Sequence, residues 1–193
     1  MLHKKLQNYN IILASGSPRR QYFLKELKLE FTTKSIDVEE IYPPYLHGNE
    51  ITGFLAQLKA DAYKDELKDK DILITADTIV RCNGKILGKP TDKADAKNML
   101  MLLSGNEHEV ITSICIKTKK NMKIINDTTV VYFEQLNEEE IDYYISNYSP
   151  FDKAGSYGIQ EWLGYIAVKK IKGSFFNVMG FPVHKFYKEM MKF

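Results

Sequence analysis

The sequence lacks the signs of an oxidising compartment. Among 193 residues there are two cysteines, Cys82 and Cys115, and they show no CxxC spacing. The N-terminus MLHKKLQNYN has no apolar core of the kind that a secretory signal carries. Each cysteine lies inside a strand-like stretch, so we expect both to be reduced thiols in the protein core.

Long apolar runs and an excess of one charge are absent as well. No stretch approaches the roughly 18 apolar residues that a membrane span needs. The 27 basic and 25 acidic side chains leave a net charge of only +2. Nothing global therefore demands a nucleic acid or a membrane as partner, and any anion-binding site must be local. We expect a cytoplasmic protein.

The chain does carry enough apolar material for a sizeable core. Hydrophobic residues make up 44% and charged residues 27%, which is typical of a globular chain, and we expect a single domain over residues 1–193. Strand patterns and helix patterns alternate, with one hairpin at Asn83-Gly84. This organisation predicts an α/β fold in which helices flank a mixed, twisted β-sheet.

The expected elements follow the periodicity of the apolar residues. Expected strands cover 10–14, the segment from 31, the hairpin within 71–87, the regions near 108–118 and 122–135, and the end of 155–171 after a glycine-punctuated loop. Expected helices cover 18–29, 51–67, the region near 92–103, a segment capped by Asn137 and Glu140, and the C-terminal 181–193.

The stretch ILASGSPRR, residues 12–20, predicts an anion site. A small loop containing Ser15 and Ser17 would place backbone N–H groups and two hydroxyls at the positive end of a helix. Arg19 and Arg20 add guanidinium groups, which suit phosphate oxygens. The alternative is an N-cap serine followed by solvated arginines. No GxxxxGK[ST] or GxGxxG motif is present.

Two later stretches carry single charged residues in notable settings. Asp77 interrupts the strand ITADTIV, and a carboxylate there is costly to bury unless it is paired or lies in a cleft. The alternative is an aspartate that caps its own turn. Lys89 lies in LGKP, where a restrained turn could direct the amine at a phosphate, or leave it simply solvated.

Acidic residues form a third candidate group. The segment DVEE places Asp37, Glu39 and Glu40 close together, and their oxygens suit Mg²⁺. A solvated acidic face is the alternative interpretation.

Taken together, these segments resemble the Maf family of nucleoside triphosphate pyrophosphatases. ASGSPRR is similar to that family's ASxSPRR signature. Five further segments occur in the family's order: DVEE, LAQLKA, ADT with GKP, DKAGSYGIQ and GSFFNVMGFP. The resemblance spans essentially the whole chain, and the combination is far more specific than any one segment.

The resemblance implies a fold like that of the inosine triphosphate pyrophosphatases, with two lobes around a nucleotide cleft. It also implies hydrolysis between the α and β phosphates, which yields a nucleoside monophosphate and pyrophosphate, with a divalent cation such as Mg²⁺ or Mn²⁺. Relatives suggest a homodimer. A non-catalytic, nucleotide-binding regulator of septum formation is the alternative function.

Site residues carry over position by position from the family motifs. Asp77 resembles the proton acceptor, and Glu39 an acid near the metal. The positions that resemble phosphate-side groups are Ser15, Arg20, Lys59 and Lys89. The three that match the family's specificity positions are Arg19, Thr78 and Gln160.

The specificity positions imply a preference within the family. Arg19, Thr78 and Gln160 resemble the subgroup that acts on dTTP and UTP, and extends to dUTP and modified pyrimidines, rather than the 7-methyl-GTP subgroup. A glutamine amide both donates and accepts, as the O4 and N3–H edge of uracil or thymine requires. The chain departs from many relatives at 161–164, EWLG, where Trp162 is either a core or interface anchor or a lid on the base.

Overall fold

The computed structural model describes all residues, 1–193, and contains a seven-stranded mixed sheet. The strands are β1 (Asn10–Ala14), β2 (Phe31–Lys34), β3 (Asp71–Cys82), β4 (Lys85–Leu87), β5 (Glu107–Lys117), β6 (Met122–Phe133) and β7 (Val168–Lys172). Their order in the sheet is β2-β1-β3-β5-β6-β7, and β4 pairs with β3.

The sheet contains both parallel and antiparallel strand pairs. β1 is parallel to both β2 and β3, with Leu13 opposite Ile74, whereas β4 runs antiparallel to β3 and β7 antiparallel to β6. The predicted hairpin joins β3 and β4, and Asn83 and Gly84 both have positive φ, as a tight primed turn requires. The predicted mixed sheet is thus confirmed.

Eight α-helices and two short 3-10 helices, Pro150–Asp152 and Ala154–Ser156, accompany the sheet. The α-helices are α1 (Leu2–Lys5), α2 (Pro18–Glu26), α3 (Asn49–Asp61), α4 (Lys93–Leu103), α5 (Glu138–Tyr148), α6 (Trp162–Ala167), α7 (Phe175–Val178) and α8 (Val183–Met190). Asn137 and Glu140 form the predicted capping box at the start of α5. None of the helices has the length and apolar character to cross a membrane.

The structure differs from expectation in the segment before β7. We expected a glycine-punctuated loop leading directly into a strand, but α6 intervenes and the strand begins only at Val168. Leu163 and Ala167, four residues apart on α6, are both fully buried, so packing on one face stabilises this short helix. Gly164 permits it, because a Cβ there would lie 1.9 Å from the Ile159 carbonyl oxygen.

The chain divides into two compact units. The first comprises 1–77, 112–127 and 180–193, and the second comprises 78–111 and 128–179. The expectation of two lobes agrees with this division, while the nucleotide cleft stays a prediction.

Each unit has its own apolar core. In the first, residues of β1, α3, β3, β5 and the segment before β3 pack together: Ile12, Ala14, Ala56, Ala60, Leu67, Leu73 and Cys115. The second has a core around Phe133, Tyr144 and Leu163. Cys82 and Cys115 are both free and buried, as predicted, and burial raises the pKa of Cys115 to about 11.

Candidate active site

The predicted anion loop lies in the first unit, between β1 and α2. Ser17 occupies the N-cap position with extended backbone, yet its side chain makes no capping hydrogen bond. Pro18 begins the helix, and the Ser15 hydroxyl accepts a hydrogen bond from the Ser17 N–H at 3.3 Å. Because no side chain caps the first turn, its N–H groups are available to an anion, and the anion site stays a prediction.

Arg20 joins three segments of the first unit. Its Nε donates to the Gly180 carbonyl at 3.1 Å, and its Nη1 donates to the Ser15 hydroxyl at 3.2 Å and to the Ala76 carbonyl at 2.8 Å. The parallel register of β1 and β3 explains this reach, since it aligns the residue after Ala14 with the segment just before Asp77. Burial lowers the pKa of Arg20 to about 10, and the nearby Asp77 charge opposes that shift.

Asp77 is buried and asymmetrically bonded. Its side chain is 7% exposed, and Oδ1 accepts a hydrogen bond from Lys59 Nζ at 2.7 Å. The other oxygen, Oδ2, is buried without a hydrogen-bond partner. An ionised carboxylate oxygen left bare in the interior is costly, so this atom is a strong acceptor for an incoming ligand.

Lys59 is aimed at Asp77 by the packing of α3. Ala56 is fully buried, and its carbonyl accepts a hydrogen bond from the Thr75 hydroxyl at 2.5 Å, which joins α3 to β3. Lys59 follows on the same helix, and its amine also lies 3.0 Å from Glu40 Oε1. Lys59 therefore links two carboxylates, those of Asp77 and Glu40.

The acidic segment differs in detail from the expectation. Glu39 is exposed on the loop between β2 and α3, and the acid that contacts Lys59 is its neighbour, Glu40. Both belong to the predicted DVEE motif, but spacing alone could not tell which carboxylate turns toward Lys59. The role of Glu39 stays a prediction.

The donor set of the first unit suits a divalent metal held largely by substrate and water. No group of three or more His, Cys, Asp or Glu side chains that could hold a metal exists in the chain, so a closed protein cage is not present. Mg²⁺, however, commonly uses one or two carboxylates and takes its other ligands from phosphates and waters. The acidic segment that contains Glu40, which lies 3.0 Å from Lys59 beside Asp77, fits that pattern.

Two of the predicted specificity positions, Arg19 and Thr78, are sequence neighbours of Arg20 and Asp77 in this cluster. Arg19, half-buried, is in the first turn of α2. Thr78 directly follows Asp77 in β3 and is the first residue of the second unit. Successive strand side chains point to opposite faces, so Thr78 and Asp77 do not share a face of the sheet.

Lys89 lies exposed in the loop after β4, in the second unit. This loop is anchored beside it, because the Gly88 carbonyl accepts a hydrogen bond from the Gly155 N–H at 3.0 Å. Gly155 has φ +70°, and a Cβ there would lie 2.9 Å from Val80 Cγ2, so only glycine fits without strain. The motifs GKP and DKAG, distant in sequence, therefore meet in the second unit.

Gln160 lies just before α6 with its amide beside a charged neighbour. Its Nε2 donates to Glu161 Oε1 at 3.5 Å, and its Oε1 is buried without a partner. Glu161 accepts a short hydrogen bond from the Tyr144 hydroxyl and contacts Lys153 Nζ at 3.1 Å. Glu161, which Tyr144 and Lys153 hold in place, is therefore the polar neighbour of the Gln160 amide.

The residues around Gln160 were not predicted from the sequence. Glu161 stood out only as a departure from relatives, and neither Tyr144 nor the buried Lys153 had a predicted role. A lysine in DKAG gives no sign of being buried, because only the fold brings Glu161 to it. Trp162 packs against the core of the second unit, 4.8 Å from the Tyr143 ring, which favours the anchor interpretation.

Comparison with known proteins identifies the family. The model of the Maf-like protein family matches residues 10–193. A dTTP/UTP pyrophosphatase of Flavobacterium johnsoniae is 55% identical over 188 residues, covering 97% of each chain. That of Christiangramia forsetii is 50% identical over 190 residues, covering 98% of this chain and 97% of the relative. That of Porphyromonas gingivalis is 47% identical over 191 residues, covering 97% and 96%. The chain therefore belongs to the Maf family.

Proposed function

We propose that this protein hydrolyses dTTP and UTP to the nucleoside monophosphate and pyrophosphate. The observation that carries the proposal is Asp77, whose Oδ1 is held by Lys59 while its buried Oδ2 has no partner. Relatives about half identical over nearly the whole chain carry the name of that activity. An activity on nucleotide pools, including dUTP and modified pyrimidine nucleotides, is consistent with this chemistry.

The proposed reaction is attack of water on the α phosphorus. Asp77 Oδ2 accepts a hydrogen bond from the water and takes its proton as the new P–O bond forms and the α–β anhydride bond breaks. Lys59, by holding Oδ1, restricts the carboxylate to one orientation. The electron pair of the broken bond leaves on pyrophosphate, so no covalent enzyme intermediate is needed.

Cationic and polar groups are proposed to offset the phosphate charge. The uncapped first turn of α2, Ser15 and Arg20 would do so in the first unit, and Lys89 in the second. A divalent cation, Mg²⁺ or Mn²⁺, held by the acidic segment containing Glu39 and Glu40, would supply further neutralisation of phosphate charge.

Gln160 is proposed to read the base, together with Arg19 and Thr78. An amide offers an acceptor to N3–H and a donor to O4 of uracil or thymine. A base with another pattern leaves these groups unpaired, at a cost of about 1 to 3 kcal/mol for each. We expect dTTP and UTP to be used better than GTP, 7-methyl-GTP or ATP.

The test is a panel of nucleoside triphosphates with Mg²⁺, in which both products are identified. Release of pyrophosphate and monophosphate from dTTP and UTP supports the proposal, whereas release of orthophosphate or no turnover contradicts it. Absence of turnover would favour the alternative of a non-catalytic regulator. Gln160→Glu should erode the pyrimidine preference, because an ionised carboxylate cannot donate to O4.

A further inference from the structure

Glu161 occupies the centre of a hydrogen-bond network in the second unit. The Gly158 N–H donates to the Tyr144 hydroxyl oxygen at 2.9 Å, and the Tyr144 hydroxyl in turn donates to Glu161 Oε2. Lys153 Nζ lies 3.1 Å from Glu161 Oε1, and Gln160 Nε2 approaches the same oxygen at 3.5 Å. Every neighbour thus presents a hydrogen to the carboxylate.

The chemistry of the groups decides which of them donate and which accept in this network. Because the tyrosine oxygen accepts from a backbone N–H, its own proton is directed to Glu161. Burial, then the hydrogen bond to Glu161, raises the pKa of Tyr144, so the hydroxyl keeps its proton. Lys153 is 8% exposed and has donors only. Glu161 is therefore an acceptor on both oxygens.

An acceptor-only neighbour settles which way the Gln160 amide faces. An amide can rotate by 180°, which exchanges its oxygen and nitrogen with little change in shape. With nitrogen toward Glu161 the amide donates, whereas with oxygen toward it two acceptors would repel each other. The space is also tight, since a Cβ on Gly158 would lie 2.7 Å from Glu161 Cδ and 2.9 Å from Gln160 Nε2.

The orientation leaves Gln160 Oε1 as a buried acceptor without a donor. Uracil and thymine present N3–H beside O4, and so match an amide that accepts at Oε1 and donates with its second N–H. Cytosine presents the opposite order, an acceptor at N3 beside an amino donor, and matches only the rotated amide.

We infer that Glu161 is a positioning residue that locks the Gln160 amide in the orientation that accepts uracil or thymine and rejects cytosine. The inference rests on the proposed function, because it requires that Gln160 reads the base. It adds a residue that acts through Gln160 and does not touch the nucleotide.

The experiment compares the specificity constants for UTP and CTP in the wild type and in Glu161→Met. Methionine has similar length but no carboxylate, so the amide is free to rotate. We expect the UTP to CTP ratio to fall about tenfold or more, with CTP use rising relative to UTP. Glu139→Gln, which removes an exposed acid of α5, is the control and should leave the ratio unchanged.

Tyr144→Phe separates positioning from stability. It removes one donor to Glu161 but keeps the carboxylate, so thermal stability should fall while the UTP to CTP ratio stays within about twofold of the wild type. If Glu161→Met fails to fold, Glu161→Ala decides by the same ratio. If Glu161 had only a structural role, Tyr144→Phe and the Glu161 variants would both lose thermal stability, and their UTP to CTP ratios would be alike.

The outcomes distinguish this inference from the proposed function. If the wild type releases no pyrophosphate from dTTP or UTP, the proposed function is wrong. If it does, but uses CTP as well as UTP, the locked amide is wrong, and no variant is needed to show it. If the wild type discriminates and a folded Glu161 variant keeps the full ratio, the role of Glu161 is wrong while the pyrophosphatase stands.

Discussion

Predicted site residues of the two units differ in what surrounds them. In the first unit they contact one another: Lys59 holds Asp77 at 2.7 Å, and Arg20 donates to Ser15. In the second, Lys89 is exposed and Gln160 contacts Glu161, which had no predicted role. The first unit thus carries a cluster whose members depend on each other, whereas the second carries separate residues placed by their own loops.

The largest expected effect comes from Asp77→Asn. The amide keeps the shape and can still accept from Lys59, but it cannot take a proton from water. We expect turnover to fall by about 10² or more with little change in thermal stability. Pyrophosphate release under saturating dTTP measures this.

Asp61→Asn is the matched control, because Asp61 is a half-exposed partner of Lys117 in the same unit. Its turnover should equal that of the wild type. Near-normal turnover in Asp77→Asn would remove the proton-acceptor role.

Arg20→Ala tests whether the predicted site residues of the first unit stabilise one another. It removes donors to the Gly180 and Ala76 carbonyls and to Ser15, so we expect the free energy of unfolding to fall by about 2 to 3 kcal/mol. The specificity constant should fall too, since Ser15 and Asp77 lose support. Urea unfolding and steady-state kinetics measure the two effects.

Arg81→Ala provides the comparison, because the half-exposed Arg81 pairs with Glu109 of β5 near the protein surface. A surface pair of that kind is worth about 0 to 1 kcal/mol. Equal losses in Arg20→Ala and Arg81→Ala would show that Arg20 does not join the segments of the first unit energetically.

Sequence patterns predicted the fold well where periodicity and turn chemistry decide it. The bounds of β1, the Asn83-Gly84 hairpin and the capping box of α5 were all confirmed. α6 was not predicted, because six residues interrupted by Gly164 carry too little periodicity for a helix. Its stability comes from tertiary packing of Leu163 and Ala167, which no local pattern reveals.

The candidate site was predictable as a set of residue types but not as a set of contacts. ASGSPRR indicated an anion loop, yet the bonds from Arg20 to Ala76 and Gly180 depend on long-range strand register and on the C-terminal segment. Likewise, nothing local shows that Glu40 rather than Glu39 turns to Lys59, or that Lys153 is buried against Glu161.

His108, a buried residue of the second unit, makes the stability of the fold depend on pH. It is 2% exposed, its Nε2 lies 2.7 Å from the Tyr157 hydroxyl, its ring packs on Phe133, and burial lowers its pKa to about 4. The unfolded chain, with a histidine pKa near 6.5, binds a proton as the pH falls below that value, whereas the folded chain does not until about pH 4. Stability is therefore full above about pH 6.5 and declines toward pH 4.

We expect this group to remove about 2 kcal/mol of unfolding free energy between pH 7 and pH 4.5. Urea unfolding at both pH values checks it, with His108→Gln as the comparison, since glutamine does not titrate there. The difference between the two pH profiles isolates the histidine from the carboxylates. Parallel profiles would show that His108 is protonated equally in both states.

Lys89→Ala has the smallest expected effect, and it tests whether the second unit places its predicted site residues separately, each on its own loop. Lys89 is exposed, and the anchor of its loop is the backbone bond between Gly88 and Gly155, which the substitution leaves in place. Unfolding free energy should therefore stay within about 0.5 kcal/mol of the wild type. Loss of one charge-assisted phosphate contact should still lower the specificity constant by about tenfold, mainly through KM for the triphosphate. Lys85→Ala, at the exposed first residue of β4, is the control and should change neither quantity. An unchanged specificity constant in Lys89→Ala would show that this amine does not contact the phosphates. A loss of stability as large as that of Arg20→Ala would show that Lys89, like Arg20, depends on contacts with its neighbours.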